Sequence, residues 1–225
     1  MKSLSSDAYD LPSRVRMYDS DMDIIHPLRR KMIDIALTVL PFSESESLTT
    51  LDLGIGTGVF SEAFLRKYPN SSVVAIDGAS AMIELARSRL GDLAQRVRWV
   101  VTEFQSIPSS VLEPNTYDVV ISSYALHHLN ADGKRSLLAS VVDAIKDGGW
   151  LLNADLVVAA TPDIEQRIQE IRVSEVTSCA PKDDQRFREV TTTSRVSTSG
   201  SSFSGSPLWS CLPVNVVSVP TFRMV

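Results

Sequence analysis

Apolar positions recur along the chain in two rhythms. Short continuous runs predict buried strands at Ser72 to Asp77, Val97 to Val101, Tyr117 to Ser123 and Trp150 to Val158, and a shorter run, Leu51-Asp52-Leu53, stops at Gly54. Between them the apolar residues follow helical spacing. Leu28, Met32, Ile35, Ala36, Val39 and Leu40 predict an amphipathic helix between Pro27 and Pro41, which leaves Arg29, Arg30 and Lys31 on a solvated face. A second helix runs from about Val59 to Tyr68 and is stopped by Pro69-Asn70. Met82, Ile83, Leu85, Ala86 and Leu90 mark a third, from Ala81 to Leu90, with Gly91 as terminator. Leu137, Leu138, Val141, Val142 and Ile145 mark a fourth, from Ser136 to Lys146, ended by Gly148-Gly149. Thr161-Pro162-Asp163 is a helix start, with a hydroxyl cap, proline in the first position and an acid in the first turn, and that helix continues to about Val173.

Strands alternating with helices imply parallel pairing through right-handed crossovers, so the fold class is α/β with a Rossmann-like, doubly wound, mostly parallel sheet. The ends depart from this rhythm. Residues 1–23 are polar and read as a flexible leader; residues 24–175 carry the α/β pattern; residues 176–225 form an atypical tail. From Thr191 onward serine, threonine and glycine dominate, a composition that buries too little apolar surface to offset conformational entropy, so most of the tail is expected to be disordered. Val214 to Val219 has strand character between Pro213 and Pro220 and suits a sheet edge.

The stretch Leu51-Asp52-Leu53-Gly54-Ile55-Gly56-Thr57-Gly58-Val59-Phe60 organises the rest, because a strand that breaks into alternating glycines and opens a helix is a nucleotide-binding turn. The dinucleotide fingerprint wants Gly-x-Gly-x-x-Gly. Here the third glycine comes one residue early and Val59 holds the fingerprint's place, which disfavours a pyrophosphate cradle and with it a nicotinamide oxidoreductase. Asp52, at the strand's carboxyl end, could hold a cationic group. Asp77, at the exit of the next strand, lands beside the turn, where a carboxylate can accept hydrogen bonds from both ribose hydroxyls.

The acid-x-Gly-x-Gly-x-Gly plan, with Asp77 behind it, resembles the class I S-adenosylmethionine-dependent methyltransferases over roughly Leu51 to Val158. That resemblance implies S-adenosyl-L-methionine as cofactor, with Asp52, Gly54, Gly56 and Gly58 at its methionine part, Asp77 at the ribose, and Thr57 and Gly78 also among the cofactor-binding residues. Met82, Glu103 and Phe104 would meet the adenine, glutamate standing where the family usually carries aspartate. Ser122, Ser123 and Tyr124 would line the donor pocket, Asn153 and Asp155 would face substrate, and an N-terminal lid would bring Tyr18 to the pocket. His127 and His128 match a family segment next to the methyl donor and are the candidates for a base, with Tyr18 beside them. A complete member also closes its sheet with a late strand hairpin, which the sequence after Val173 does not display.

Charge and cysteine content narrow the partners. With 22 basic and 27 acidic residues the chain carries a net charge of -5, which gives no general attraction for nucleic acid or anionic membranes. Cys179 and Cys211 are too few for a disulfide framework, and no ligand-spaced set accompanies the paired histidines, so no metal is expected. The first residues lack a signal peptide's apolar core and Asp155 interrupts the longest late apolar run, so a cytoplasmic protein is expected. The functional expectation is methyl transfer to a small-molecule acceptor; the competing readings are a catalytically inactive S-adenosylmethionine-binding protein and a tRNA-modifying methyltransferase. Oligomeric state is not encoded in any of these features.

Overall fold

The computed structural model describes residues 12–156, 159–179 and 214–220. Helices α1 (Pro12–Ile25) and α2 (Arg29–Thr38) precede the alternating region of β1 (Thr49–Leu53), α3 (Val59–Lys67), β2 (Ser72–Asp77), α4 (Ser80–Leu90), β3 (Val97–Val101), β4 (Tyr117–Ser123), α5 (Ala131–Ala144) and β5 (Ile145–Leu156). Helix α6 (Pro162–Cys179) and strand β6 (Val214–Pro220) follow. The sheet order is β3-β2-β1-β4-β5-β6, with the first five strands parallel and β6 antiparallel to β5 from Trp150↔Pro220 to Leu156↔Val214. The strand expected at the edge is therefore an edge strand. It stands alone there among the described residues, without the second strand of a hairpin, and Thr191 to Ser202, Cys211, Val157 and Val158 lie outside the described residues.

Both faces of the parallel strands are covered, which is why they read as unbroken apolar runs. On one face Phe60, Phe64 and Leu65 of α3, Ile83 and Ala86 of α4 and Ile33, Ala36 and Leu37 of α2 pack on Val73, Ala75, Val119, Ile121 and Leu152. On the other, Leu137, Val141 and Ala144 of α5 pack on Leu51, Leu53, Ile76 and Val120. The end of α3 is closed by Arg96, whose guanidinium donates to the carbonyls of Leu65, Tyr68, Pro69 and Ser71 at 2.7–3.1 Å, putting a cation where the helix leaves its acceptors unpaired.

Several expectations need correction. The segment expected as a flexible leader or lid is helical from Pro12 rather than irregular, and α6 returns to it, Val176 packing on Ile25. Helix α2 is turned relative to its expected face: Leu28, Ile35 and Val39 are exposed, while Arg29, Ile33, Ala36 and Leu37 are buried. The buried stripe begins at an arginine because Asp19 and Asp23 of α1 meet it at 3.2 and 3.1 Å. Helix α5 begins at Ala131 rather than Ser136, capped by Asn130, whose side chain accepts from the Gly133 N–H at 2.8 Å. It ends at Ala144, and β5 starts at once with Ile145, because that side chain is drawn into the core; Gly148-Gly149 lie inside the strand, opposite a register shift between Tyr117 and Val119.

Candidate functional site

The strand order reverses between β1 and β4. In an open α/β sheet the carboxyl ends of the two strands diverge at that point and leave a crevice. Here the crevice is a cleft of about 1120 Å³, open mouth included, roofed by α1 and α2.

Its floor is the turn after β1. The N–H groups of Gly54 and Ile55 both donate to the Ile76 carbonyl at 2.9 Å, which binds the turn to β2. Gly54 adopts φ +77, and a Cβ there would collide with Ala125 and come within 3.3 Å of Phe104, so a side chain would fill the cradle. Asp77 stands over the turn, with Oδ2 accepting from Gly56 N–H at 2.8 Å and Oδ1 from Ala79 N–H at 2.9 Å. Each carboxylate oxygen retains lone-pair capacity for a hydroxyl. Asp52 is 1 % exposed and accepts from Ser61 Oγ at 2.6 Å. Burial pushes its carboxyl up to about 7, the Ser61 hydroxyl pulling down and the neighbouring Asp77 charge pushing up.

At the other end the wall is apolar with one acid. Met82 and Phe104 line it together with Glu103, whose carboxyl group stands 3.0–3.2 Å from where a Cβ on Gly78 would lie. The longer acid fits because residue 78 has no side chain. Helix α1 supplies Tyr18 and Met22 to the roof. Beside them Asp19 accepts from Thr57 Oγ1 of the glycine turn at 2.6 Å, from Arg29 Nη2 at 3.2 Å and from Arg89 Nη2. Burial opposes ionisation there, but the Thr57 hydroxyl and the two guanidinium groups hold the Asp19 carboxyl below its ordinary value.

The turn after β4 completes the cleft. Tyr124 takes φ +52, rare for a residue with a side chain, and is pinned by its N–H donating to the Ala154 carbonyl at 3.0 Å. Its ring lies 4.5 Å from that of His26, centroid to centroid, and burial pushes its hydroxyl pKa up. Burial, then the charges of Arg172, Arg29 and His127, push His26 down to about 3; burial and then His127 push His128 down to about 4. Both rings are neutral at physiological pH.

Tyr18, Asp52, Gly54, Gly56, Thr57, Asp77, Gly78, Met82, Glu103, Phe104, Ser123, Tyr124 and His128 line one cleft. Five others are placed elsewhere among the described residues. Gly58 turns the chain into α3, and Ser122 donates to the Leu53 carbonyl at 2.9 Å inside the sheet. Asp155 holds His127 by two bonds, accepting its N–H at 2.9 Å and meeting Nδ1 at 2.7 Å, so this pair braces the loop behind the cleft wall. Asn153 lies on β5, its Oδ1 buried without a partner among the described residues. Arg29 and Met22 line the cleft and were not singled out; Arg29 looked like part of a solvated basic run, and only its pairing with Asp19 and Asp23 reveals it. Among the described residues no three His, Cys, Asp or Glu side chains gather to hold a metal, and no helix is long and apolar enough to cross a membrane.

A family model described as a methyltransferase domain matches residues 50–149, from the first strand to the entry of β5. A malonyl-[acyl-carrier protein] O-methyltransferase of Bacillus cereus is 34% identical over 105 residues, 46% of this chain and 37% of that protein. An uncharacterized methyltransferase of a Geobacillus species is 30% identical over 122 residues, 54% of each chain. The matches thus span from about a third to about half of these relatives' length. The structure of an O-methyltransferase family protein from Burkholderia thailandensis superimposes with a TM-score of 0.58 at 19% identity, covering 87% of this chain and 58% of that one, which is a likeness of fold. The glycine spacing, the carboxylate at the end of β2 and the sheet order agree with the matched family, and residues 50–149 form a class I S-adenosylmethionine-dependent methyltransferase domain.

Proposed function

We propose that this protein transfers the methyl group of S-adenosylmethionine to a small-molecule acceptor. The observation that carries the reading is the cleft at the strand-order reversal, where Asp77 is held by two backbone N–H groups, one from the glycine turn, while Gly54 leaves the cradle empty of side chain. The cofactor supplies a sulfonium-activated methyl group, so the protein's task is alignment and exclusion of water. In this reading Asp77 accepts from the ribose hydroxyls, Glu103 accepts from the adenine amino group against Met82 and Phe104, and Asp52 with the glycine turn faces the methionine end. Helix α1 is the lid, and Tyr18 and Met22 close it over the site. Tyr124 and His128 face the acceptor, and His128, neutral at physiological pH, can accept a hydrogen bond from an acceptor hydroxyl or amine.

A small acceptor is supported by the roofed cleft, by the net charge of -5, which gives no attraction for tRNA, and by relatives named malonyl-[acyl-carrier protein] O-methyltransferases. The test is calorimetric titration with S-adenosylmethionine and S-adenosylhomocysteine, beside an Asp77→Ala variant, followed by a methyl-transfer screen over hydroxyl, amine and carboxylate acceptors. Binding that is lost in the variant, with transfer to a small acceptor, is the expected result. Binding without transfer to any acceptor class would leave a cofactor-binding protein, and no binding by the folded protein would sink the reading.

A further inference from the structure

Arg29 is the only cation among the buried polar residues described, at 5 % exposure, and it lines the cleft. Its Nη2 meets Asp19 at 3.2 Å and Asp23 at 3.1 Å, while its Nε has no hydrogen-bond partner among the described residues. Leaving a guanidinium N–H buried without an acceptor is unfavourable, and an anionic oxygen, such as that of a carboxylate, is the acceptor that pairs with it most strongly.

The surrounding charges favour the same ligand. Asp19 also receives Arg89, Asp23 also receives Arg30 at 3.4 Å, and Glu62 touches Arg89 at 3.6 Å, so three guanidinium groups meet three carboxylates. A fourth guanidinium approaches from α6, Arg172 Nη2 lying 3.4 Å from His26 Nδ1, and His26 stacks on Tyr124 of the cleft wall. Behind that wall Asp155 is engaged by His127. The unpartnered Nε of Arg29, with Arg172 approaching behind His26, is what suits this end of the cleft to an anion.

We propose that Arg29 donates its Nε–H to the carboxylate of a ligand bound in the cleft, one carried by the methionine end of the cofactor or by the acceptor. The inference rests on the methyltransferase reading above. It is tested by calorimetric titration of the full chain, as wild type, Arg29→Lys and Arg29→Met, with S-adenosylhomocysteine and with methylthioadenosine, which has the nucleoside and thioether but no amino-acid end. Thermal melts establish that each variant is folded, and the lysine variant, which keeps the charge facing Asp19 and Asp23, decides the matter if the methionine variant is not.

If the carboxylate is the cofactor's, Arg29→Lys weakens S-adenosylhomocysteine about tenfold to a hundredfold and leaves methylthioadenosine within about twofold. If it is the acceptor's, both nucleosides bind as in wild type, and malonate or glutarate titrated into the S-adenosylhomocysteine-loaded protein binds wild type and not Arg29→Lys. Equal weakening of both nucleosides, or no dependence of any of these ligands on residue 29, overturns the proposal and makes Arg29 a strut between α1 and α2. Failure of wild type to bind S-adenosylhomocysteine would instead overturn the reading of the cleft itself.

Discussion

If Asp52 faces the cofactor's ammonium, as proposed, cofactor binding should release a proton near neutral pH. Burial holds its carboxyl at about 7 instead of 3.8, so in the free protein at pH 7 about half of the molecules carry a proton there. A ligand ammonium settling at the methionine end favours the carboxylate and lowers that value, and the proton leaves. With a bound-state value well below 6, release is about 0.9 proton per ligand at pH 6, about 0.5 at pH 7 and about 0.1 at pH 8. Affinity then rises about fivefold from pH 6 to 7 and less than twofold from pH 7 to 8. The assay is titration of S-adenosylhomocysteine in buffers of different ionisation enthalpy, where the slope of apparent heat against that enthalpy counts the protons. Asp52→Asn should abolish the slope. A zero slope in wild type, or proton uptake, would refute the assignment of Asp52 to a cationic group.

The same shift acts on folding of the free protein. The native state keeps on Asp52 a proton that the unfolded chain gives up near 3.8, so this contribution to stability is fully present below that pH and is lost as pH rises through about 7. It amounts to at most about 4 kcal/mol. The difference in melting temperature between wild type and Asp52→Asn should therefore move against wild type from pH 4 to pH 7 and level off above.

Gly78→Ala puts a Cβ 3.0 Å from the Glu103 carboxyl, which must swing away; the fold should survive, and S-adenosylhomocysteine affinity should drop about tenfold, the worth of one charge-assisted hydrogen bond, in calorimetric titration. Tyr68→Phe removes a buried hydroxyl that has no partner among the described residues while keeping the ring against Phe64, so the melting temperature should hold or rise; a fall of several degrees would mean the hydroxyl is satisfied. Asp19→Ala strips the acceptor shared by Thr57, Arg29 and Arg89 and should lower stability by about 1–3 kcal/mol while speeding tryptic cleavage at Arg29 and Arg30; unchanged cleavage would mean that α1 is held by its apolar contacts alone.

What was legible in the sequence depended on whether a signal was local. The parallel strands announced themselves because burial on both faces demands continuous apolar runs, and the glycine turn because its backbone tolerates no side chain at Gly54. Asp77 followed from the crossover rule, which puts the exit of β2 beside the turn. The face of α2 was misread for the opposite reason. Apolar spacing favoured Leu28, Ile35 and Val39, all exposed, because a buried Arg29 makes sense only with Asp19 and Asp23, which sit ten and six residues earlier in a segment lacking a strong apolar stripe. His127 and Asp155 were each visible, but the bonds that turn them toward one another span 28 residues and two elements. Glutamate at 103 looked like a departure from the family's aspartate until Gly78 was seen to make room for it.

One carboxylate ties these distant signals together. Thr57 belongs to the glycine turn after β1, Arg89 to α4 and Arg29 to α2, and all three donate to Asp19 of α1. Arg89 also donates through Nε to the Thr57 carbonyl at 2.8 Å, so the turn is gripped at both its side chain and its backbone. Helix α1 therefore cannot lift from the cleft without unpairing the Thr57 hydroxyl and leaving two guanidinium groups facing each other across the vacated position, one of them on a residue 5 % exposed. Closure and the geometry of the glycine turn are in this way one equilibrium.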